Sequence, residues 1–228
     1  MRIFRALMIH GVGQQTNRFA DDARQGLRDV AKTRDTQVRC LQAHWAPLAD
    51  RAQARYLKRA EAHGSRGNAS QRLVIGTLSD ALMYRNTTEL QKQIFYILDQ
   101  QEWLLGEPFT IFAHSLGGLI ATDWLRSRPD VRNVRLVTFG CNIGLFTLGS
   151  TFDCPEQLKK PGSWVNFYYD SDLLGFPLAV DPALGHVEDI KLRRRFWTWS
   201  RIVGGLTHLD YWTDSRFWEK VIPKALNM

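Results

Sequence analysis

The sequence has few cysteines and no long apolar run. Its three cysteines, Cys40, Cys141 and Cys154, are widely spaced and form no Cys-x-x-Cys pair. An odd, scattered set of this kind indicates neither a disulfide framework nor a zinc site, and it favours a reducing, cytoplasmic location. No apolar stretch approaches the roughly 20 residues that cross a bilayer. The opening MRIFRALMIHG lacks the long apolar region and cleavage site of a signal peptide, so we interpret it as a first strand.

Patterns typical of nucleic-acid binding are missing as well. No RNA-recognition, zinc-finger or helix-turn-helix pattern is present, so no nucleic-acid partner is expected. The formal net charge of +7 is uneven, because residues 1–60 hold 12 of the 30 Lys and Arg but 5 of the 23 Asp and Glu. This asymmetry is compatible with an anionic partner or a weak contact with a membrane surface. Arginines scattered over solvated helix faces account for it more simply.

What is present is an alternation of apolar strands and amphipathic helices. Hydrophobic residues make up 44% of the 228-residue chain and charged residues 23%, which is usual for a globular protein. Short apolar or alternating runs predict strands, and apolar residues three and four apart predict helices. The predicted strands cover 3–9, 38–45, a run from Phe109, 134–139 and 164–169, and the predicted helices cover 17–32, 48–62, 71–84, 87–104 and a segment from Ser215.

This alternation predicts an α/β protein with a mostly parallel central sheet and helices on both faces, in one domain covering 1–228. Within it, residues 48–104 are interpreted either as a helical cap over a site or as an insertion that covers the sheet. Asn86, followed three residues later by Glu89, predicts a helix N-cap with a capping box. The segment 63–70 predicts a loop, and the aromatic-rich segment 186–203 predicts a hairpin.

A serine stands at the junction of a predicted strand and a predicted helix, in FTIFAHSLGGL (109–119). A strand-to-helix turn this tight lifts the serine hydroxyl clear of the backbone and requires small residues two positions before and after it. Ala113 and Gly117 meet that requirement, whereas a simple helix cap does not explain them. Ser115 is therefore interpreted as a nucleophile, with the helix that begins at Leu116 directing free N–H groups toward developing negative charge.

A nucleophilic serine needs a base and an orienting carboxylate, which follow it in this architecture in the order acid, then histidine. Only His186 and His208 lie far enough downstream, and His208, in a glycine-led loop before the last helix, is favoured. The strand that ends at Tyr169 is followed by two carboxylates, Asp170 and Asp172. Asp172 is favoured as the acid, and Asp170 remains the alternative.

An oxyanion intermediate also needs two backbone donors. One is the Leu116 N–H, and the glycine-rich turn His10-Gly11-Val12-Gly13 after the first strand offers the Val12 N–H as the other. A dinucleotide-binding loop is a weaker interpretation, because position 16 is threonine instead of a third glycine and no acidic residue closes the second strand.

Together these stretches resemble the lipase/esterase-like proteins of the α/β-hydrolase superfamily that open with a His-Gly turn. The matching pieces keep the family's order and span residues 9–212: IHGVGQQ (9–15), IFAHSLGGLIA (111–121), LVTFGCNIG (136–144), WVNFYYDSDLLGFPL (164–178) and THLDYW (207–212). The resemblance implies the nucleophile, acid and base Ser115, Asp172 and His208, the oxyanion donors Val12 and Leu116, and the supporting residues His10, Gly11, Gly13, His114 and Gly117, with no metal and no cofactor.

The sequence departs from the family pattern at two places. Ala113 replaces the commonest glycine of the serine motif, and Cys141-Asn142 stands where relatives often have Ser-Pro, which puts the wall of the acyl pocket in doubt. The segment Lys191–Arg201 mixes cations with aromatics, which suits either a lipid–water interface or a packed hairpin.

The resemblance implies hydrolysis of a carboxylic ester, either a small molecule or a lipid-like substrate, through an acyl-enzyme on Ser115. An acyltransferase or thioesterase could use the same three side chains, and a non-enzymatic binding or scaffold protein could keep the fold. The sequence indicates no oligomeric state.

Overall fold

Six parallel strands form one sheet in the order β2-β1-β3-β4-β5-β6. The computed structural model describes residues 2–12, 15–62, 79–100, 107–141, 143–146, 152–172, 174–193, 208 and 211–227. Every strand pairing within these ranges is parallel. The strands are β1 (Arg2–Ile9), β2 (Thr36–Ala43), β3 (Phe109–His114), β4 (Val134–Phe139), β5 (Trp164–Tyr169) and β6 (Glu188–Leu192).

Helices connect the strands. They are α1 (Asp21–Lys32), α2 (Ala46–Ala62), α3 (described over 79–86), α4 (Thr88–Asp99), α5 (Leu116–Ser127), the short α6 (Ile143–Phe146) and α7 (Ser215–Asn227). Two 3₁₀ turns occupy Glu156–Leu158 and Pro182–Leu184. None of the helices within the described ranges is long and apolar enough to cross a bilayer.

The sheet is covered on both faces, which confirms the predicted fold class. On one face, α1 and α7 pack against strand residues that include Met8, Phe112 and Val137. On the other, α4 and α5 pack against Leu7 and Ile111. All six residues of β3 are buried, because this strand is central and both of its faces are covered. That burial is the physical reason why its sequence is an almost continuous apolar run.

The described helices of the segment 48–104 belong to the core of this second face. Tyr84 of α3 and Ile94 and Leu98 of α4 lie in the same cluster of buried residues as Leu7 and Ile111 of the sheet. The Tyr84 hydroxyl also donates a hydrogen bond of 2.9 Å to Asp123 on α5. This part of the segment therefore packs on the sheet, while the predicted loop 63–70 and the first half of the helix predicted for 71–84 lie outside the described residues.

Several predicted boundaries are wrong. The helix predicted from residue 17 begins at Asp21, after a hydrogen-bonded turn. The second strand ends at Ala43, two residues early, because the N–H groups of Trp45 and Ala46 donate to the His10 ring at the start of α2.

Two further local predictions concern the N-cap of α4 and the hairpin. The N-cap of α4 is Thr87 and not Asn86, and it makes no side-chain capping bond, so the predicted capping box is wrong. Of the predicted hairpin, 188–192 forms β6 and pairs with β5 in parallel, while 194–203 lies outside the described residues.

The strand register brings several loops to one edge of the sheet. Ile9 is level with Ala113, and the next residue, His114, is level with Phe139, which is level with Phe167. The chain therefore leaves β1, β3, β4 and β5 at the carboxyl edge, where ligand sites of parallel sheets form.

Candidate active site

Ser115 occupies a strained turn between β3 and α5. Its φ of 53° and ψ of −123° lie in a region that residues with a side chain rarely adopt. The Ser115 N–H donates to the Phe139 carbonyl at 3.1 Å, and the Ser115 carbonyl accepts from Gly118 N–H at 3.0 Å. The side chain is only 1% exposed. These contacts hold a conformation that costs on the order of 1–3 kcal/mol, which is a frequent feature of functional sites.

Close backbone contacts explain the small residues around the serine. A Cβ atom on Gly11 would lie 2.6 Å from the Ser115 Cβ, and one on Gly117 would lie 2.7 Å from the Ile9 carbonyl oxygen. A Cβ on Gly118 would lie 2.5 Å from the Cys141 Sγ. The turn that follows β1 is therefore packed directly against the serine turn, and the glycines make that contact sterically feasible.

His208 links Ser115 to Asp172. The His208 Nε2 lies 2.8 Å from the Ser115 Oγ, and its Nδ1 lies 3.1 Å from each carboxylate oxygen of Asp172. An ionised carboxylate only accepts hydrogen bonds, so Nδ1 carries the proton and Nε2 is left to accept from the serine hydroxyl. Ser115 is 1% exposed, His208 is 2% exposed and Asp172 is 6% exposed. Their buried polar atoms form hydrogen bonds with one another.

Asp172 is held as an anion in this buried position. Burial alone would raise its pKa, but hydrogen bonds from His208, the Leu174 N–H and the Tyr211 hydroxyl, together with the charge of His208, hold the pKa below its ordinary value. Its Oδ1 accepts from Leu174 N–H at 2.9 Å, and its own N–H donates to the Tyr169 carbonyl at 3.2 Å. This tight turn directly after β5 places the carboxylate under His208.

The two alternatives left open by the sequence lie elsewhere. Asp170 is exposed, and its N–H donates to the Leu192 carbonyl in the sheet. The His186 ring lies with its Nε2 3.5 Å from the Cys154 Sγ, beside Trp164. The structure thus brings Asp172 and His208, and neither alternative, to Ser115.

The turn after β1 is organised by His10. Its Nε2 accepts hydrogen bonds from the N–H groups of Trp45 (3.1 Å) and Ala46 (3.2 Å), so Nδ1 must carry the proton that it donates to the Gly11 carbonyl at 2.8 Å. Its ring stacks on Trp45 at 4.7 Å. Burial lowers the pKa of His10 to about 3, which keeps the ring neutral. His10 is therefore a structural anchor that joins the turn to the start of α2.

The predicted oxyanion donors lie on either side of Ser115. Val12 is buried in the turn that packs against Ser115 through Gly11, and Leu116 is the first residue of α5. The N–H groups at the start of a helix have no partner within the helix and carry partial positive charge. Gly13, the second glycine of the predicted turn, lies outside the described residues.

His114 lies behind the site and faces aromatic rings. It stacks on Phe139 at 5.4 Å and lies 4.8 Å from the His208 ring, between ring centroids. Both of its ring nitrogens are buried. Burial, and the nearby charge of His208, lower the pKa of His114 well below its ordinary value, so it stays neutral.

Sequence reasoning missed three residues that shape the site. The Tyr211 hydroxyl donates to the Asp172 Oδ2 at 2.8 Å. A Cβ atom on Gly175 would lie 2.5 Å from that same oxygen, and one on Gly140, which has a φ of +56°, would lie 2.7 Å from the Tyr211 ring. In the sequence, the stretches YDSDLLG and THLDYW indicate only Asp172 and His208, because the further contacts depend on how distant segments pack.

No candidate metal centre accompanies these groups. The described residues contain no cluster of three or more His, Cys, Asp or Glu that could hold a metal ion, and the three cysteines are free thiols. Burial raises the pKa values of Cys40 and Cys154 to about 11.

Comparisons with known proteins identify the fold. No family model matches the sequence, and no curated protein matches it at a significant level. A dienelactone hydrolase from Anabaena variabilis ATCC 29413 superimposes with a TM-score of 0.51 at 14% identity, covering 98% of this chain and 84% of that one. A pyrethroid hydrolase from Sphingobium faniae JZ-2 gives a TM-score of 0.48 at 12% identity, covering 98% and 97%. The likeness to the first, together with the six-stranded parallel sheet, shows that the chain has the α/β-hydrolase fold.

Proposed function

We propose that the protein is a serine hydrolase that cleaves carboxylic esters through an acyl-enzyme on Ser115. One observation carries the proposal: the buried His208 imidazole contacts the Ser115 hydroxyl at 2.8 Å with one nitrogen and the Asp172 carboxylate at 3.1 Å with the other. A nucleophile, a base and a group that orients the base are thereby within hydrogen-bond reach of one another, which is the arrangement that acyl transfer requires.

In the first half-reaction the Ser115 Oγ attacks the ester carbonyl carbon while its proton moves to the His208 Nε2. The carbonyl oxygen becomes an oxyanion, and the N–H groups of Val12 and Leu116 are proposed to bind it. The intermediate then collapses with cleavage of the bond to the leaving alcohol oxygen, which takes the proton from Nε2. Ser115 is left esterified with the acyl group.

In the second half-reaction a water molecule replaces the alcohol. His208 accepts a proton from the water as its oxygen attacks the acyl carbon, and the same backbone donors bind the second oxyanion. Collapse releases the carboxylic acid and returns the proton to the Ser115 Oγ. Each proton taken by His208 is given back, so the cycle consumes only ester and water.

The electrostatics of the site favour this cycle. Asp172 is anionic because hydrogen bonds outweigh the cost of its burial and lower its pKa, so it stabilises the imidazolium that forms on His208. His114, 4.8 Å away between ring centroids, stays neutral and adds no competing positive charge.

An exposed aromatic side chain beside the site supports an ester with a hydrophobic part, either a small molecule or a lipid-like substrate. Phe176 is 44% exposed on the segment that continues from the Asp172 turn. The Phe176 N–H donates to the Cys141 carbonyl at 3.2 Å, which anchors this segment beside Gly140 at the carboxyl edge. The interpretation of Lys191–Arg201 as a lipid–water interface depends on residues 194–201, which lie outside the described ranges.

The test is labelling with a fluorophosphonate probe followed by mass mapping of the modified peptide. We expect one modified residue, Ser115, and loss of labelling in Ser115→Ala and His208→Ala. Esters of graded acyl length then define the substrate, and competing alcohols separate transfer to water from transfer to another acceptor. An absence of labelling in folded protein that also fails to hydrolyse small esters contradicts the proposal and favours a binding protein with this fold.

A further inference from the structure

We infer that Tyr211 is a positioning residue of this site, whose buried hydroxyl fixes the Asp172 carboxylate beneath His208. The effect of Tyr211 on activity rests on the proposed function. Its effect on the position of the Asp172 carboxylate does not. Tyr211 is fully buried. It adds a fourth group to the hydrogen-bonded chain that begins at Ser115.

The direction of the hydrogen bonds on the Tyr211 hydroxyl is fixed by its neighbours. The Tyr169 N–H donates to this oxygen at 3.0 Å, and a main-chain N–H cannot accept. The single hydroxyl proton is therefore available to the Asp172 Oδ2, 2.8 Å away. Burial and the charge of Asp172 raise the pKa of Tyr211 far above its ordinary value, so the hydroxyl keeps this proton throughout the working pH range.

The Tyr211 ring is held firmly by packing. Between ring centroids, it stacks on Tyr169 at 5.1 Å, makes an edge contact with Phe217 at 5.1 Å and lies tilted against Phe139 at 5.7 Å. A Cβ atom on Gly140 would come within 2.7 Å of it. Because the ring has no room to turn away, its hydroxyl is a fixed point that joins β5 to the carboxylate.

Asp172 depends on this fixed point for its orientation. Its Oδ1 is held by the Leu174 N–H at 2.9 Å, its Oδ2 by Tyr211 at 2.8 Å, and His208 Nδ1 lies 3.1 Å from both oxygens. Without the Tyr211 donor, the Oδ2 atom would be buried with His208 as its remaining partner among the described residues. More of the negative charge would then be directed at the imidazole, and protonated His208 would be stabilised.

Few other ionisable groups face this pair within the described residues. From the end of β3, neutral His114 packs against His208. On the Asp172 segment, Asp170 is exposed. Behind Tyr211, the Tyr169 hydroxyl donates to Asp214 at 2.9 Å, one tyrosine farther from the carboxylate. The arrangement therefore supplies a matched control, because Tyr169→Phe and Tyr211→Phe each remove one hydroxyl that binds a carboxylate within the same aromatic cluster.

The experiment compares these two variants by NMR titration of the His208 ring, assigned through a His208→Gln spectrum, and by the pH dependence of kcat/KM on a chromogenic ester. In Tyr211→Phe we expect the apparent pKa of His208 and the acid limb of kcat/KM to move to higher pH by about one unit, with kcat about tenfold lower. In Tyr169→Phe we expect neither to move. Incorporation of 3-fluorotyrosine at position 211, which makes the donor more acidic and keeps the ring, should shift the titration the opposite way.

The outcomes separate the two proposals. A titration shift confined to Tyr211→Phe in a protein without esterase activity supports the role of Tyr211 in positioning Asp172 and overturns the proposed function. An active enzyme whose titration is the same in both variants overturns the inference, as does an equal loss of activity in both, since a packing role alone would give that result. If Tyr211→Phe does not fold, the fluorinated protein decides: an unmoved titration there also overturns the inference.

Discussion

The polar groups at the two edges of the sheet differ in burial and in how they are paired. At the carboxyl edge, Ser115, His208 and Asp172 are buried and bonded to one another. At the amino edge, a cleft of about 840 Å³ is lined by charged side chains, of which the basic ones are Arg2, Arg5, Arg132, Arg135, Lys160 and Lys224. Its lining includes two carboxylates, Glu107 and Glu188, and each already pairs with one cation, Arg5 at 3.4 Å and Lys224 at 2.7 Å.

This difference teaches that a charged cleft is not by itself evidence of chemistry. Burying a polar group is costly unless it is bonded, so a buried, mutually satisfied set of ionisable side chains points to function more strongly than an open charged cleft does. One cation of the cleft, Lys224, has a structural explanation, because it lies in the last turn of α7 and complements the negative end of the helix dipole.

The largest effect expected from the comparison is a loss of activity confined to the carboxyl edge. If the proposed function holds, Ser115→Ala and His208→Ala should each lower kcat by about a million-fold, the loss measured for such residues in a well-studied serine hydrolase. Arg132→Gln, in the cleft at the opposite edge, should leave kcat/KM within about twofold, because it contacts no group of the site. Steady-state kinetics on a chromogenic ester decide this, and a large loss in Arg132→Gln would mean that the chemistry had been assigned to the wrong edge.

The next effect concerns the close packing of the carboxyl edge. Gly117→Ala puts a Cβ atom 2.7 Å from the Ile9 carbonyl oxygen and 2.8 Å from that of His10, so the turn that holds Val12 must move. We expect about 1–3 kcal/mol less stability and about a hundredfold lower kcat, because displacing the proposed oxyanion donor Val12 would be costly. Urea unfolding and kinetics measure the two effects.

Gly144→Ala is the matched control, since a Cβ atom there meets nothing within 4 Å. It lies in the short α6 and should change neither quantity by much. Equal effects of the two substitutions would show that the loss in Gly117→Ala comes from the backbone preference of alanine and not from contact with the turn after β1.

The apolar strands at the centre of the sheet were predictable from the sequence, and several boundaries were not. The strands 134–139 and 164–169 were predicted with the observed bounds, because central strands buried on both faces are mostly apolar. The N-cap at Asn86 was wrong because capping is a weak local preference that packing overrides. The end of β2 depends on hydrogen bonds from Trp45 and Ala46 to His10, which lies about 35 residues away in sequence.

The candidate site divides in the same way. Ser115 and its small neighbours could be identified because the steric demand of the turn is local. The choice between Asp170 and Asp172 could not be derived, since it depends on how the chain turns after Tyr169. Tyr211 was missed because its contact with Tyr169 joins residues 42 positions apart, which only the folded chain brings together. Catalytic roles for these residues remain predictions.

A smaller effect should appear in the pH dependence of stability at the carboxyl edge. His10 is buried with its pKa lowered to about 3, whereas an unfolded chain protonates histidine near pH 6.5. As the pH falls below that value, the unfolded chain binds a proton on this histidine and the native state does not. The free energy of unfolding therefore decreases toward acid pH. The loss is about 1.4 kcal/mol per pH unit for each such histidine, and neutral, buried His114 should add to it.

Urea unfolding at pH 7 and pH 5 measures this loss, with His10→Asn as the comparison. The variant should be less stable at pH 7, because two N–H groups at the start of α2 lose the ring that accepts them. Its loss between pH 7 and pH 5 should nevertheless be smaller by about 2 kcal/mol, because it lacks one titrating group. An identical loss in both proteins would mean that His10 protonates in the native state.

The smallest effect tests the amino edge. Half-buried Arg135 has a pKa lowered by burial and by the positive charge of Arg2, so its charge is unfavourable where it lies. Arg135→Gln should therefore leave activity unchanged and leave stability unchanged or raise it by about 0.5 kcal/mol, with solvent screening most of the repulsion. Arg5→Gln is the control of opposite sign, because Arg5 pairs with Glu107 at 3.4 Å and its loss should destabilise by a similar amount. Both differences should shrink in high salt, since exposed charges are screened there. A marked destabilisation by Arg135→Gln that persists in high salt would show that packing or hydrogen bonds stabilise this arginine. The amino edge would then be as closely packed as the carboxyl edge.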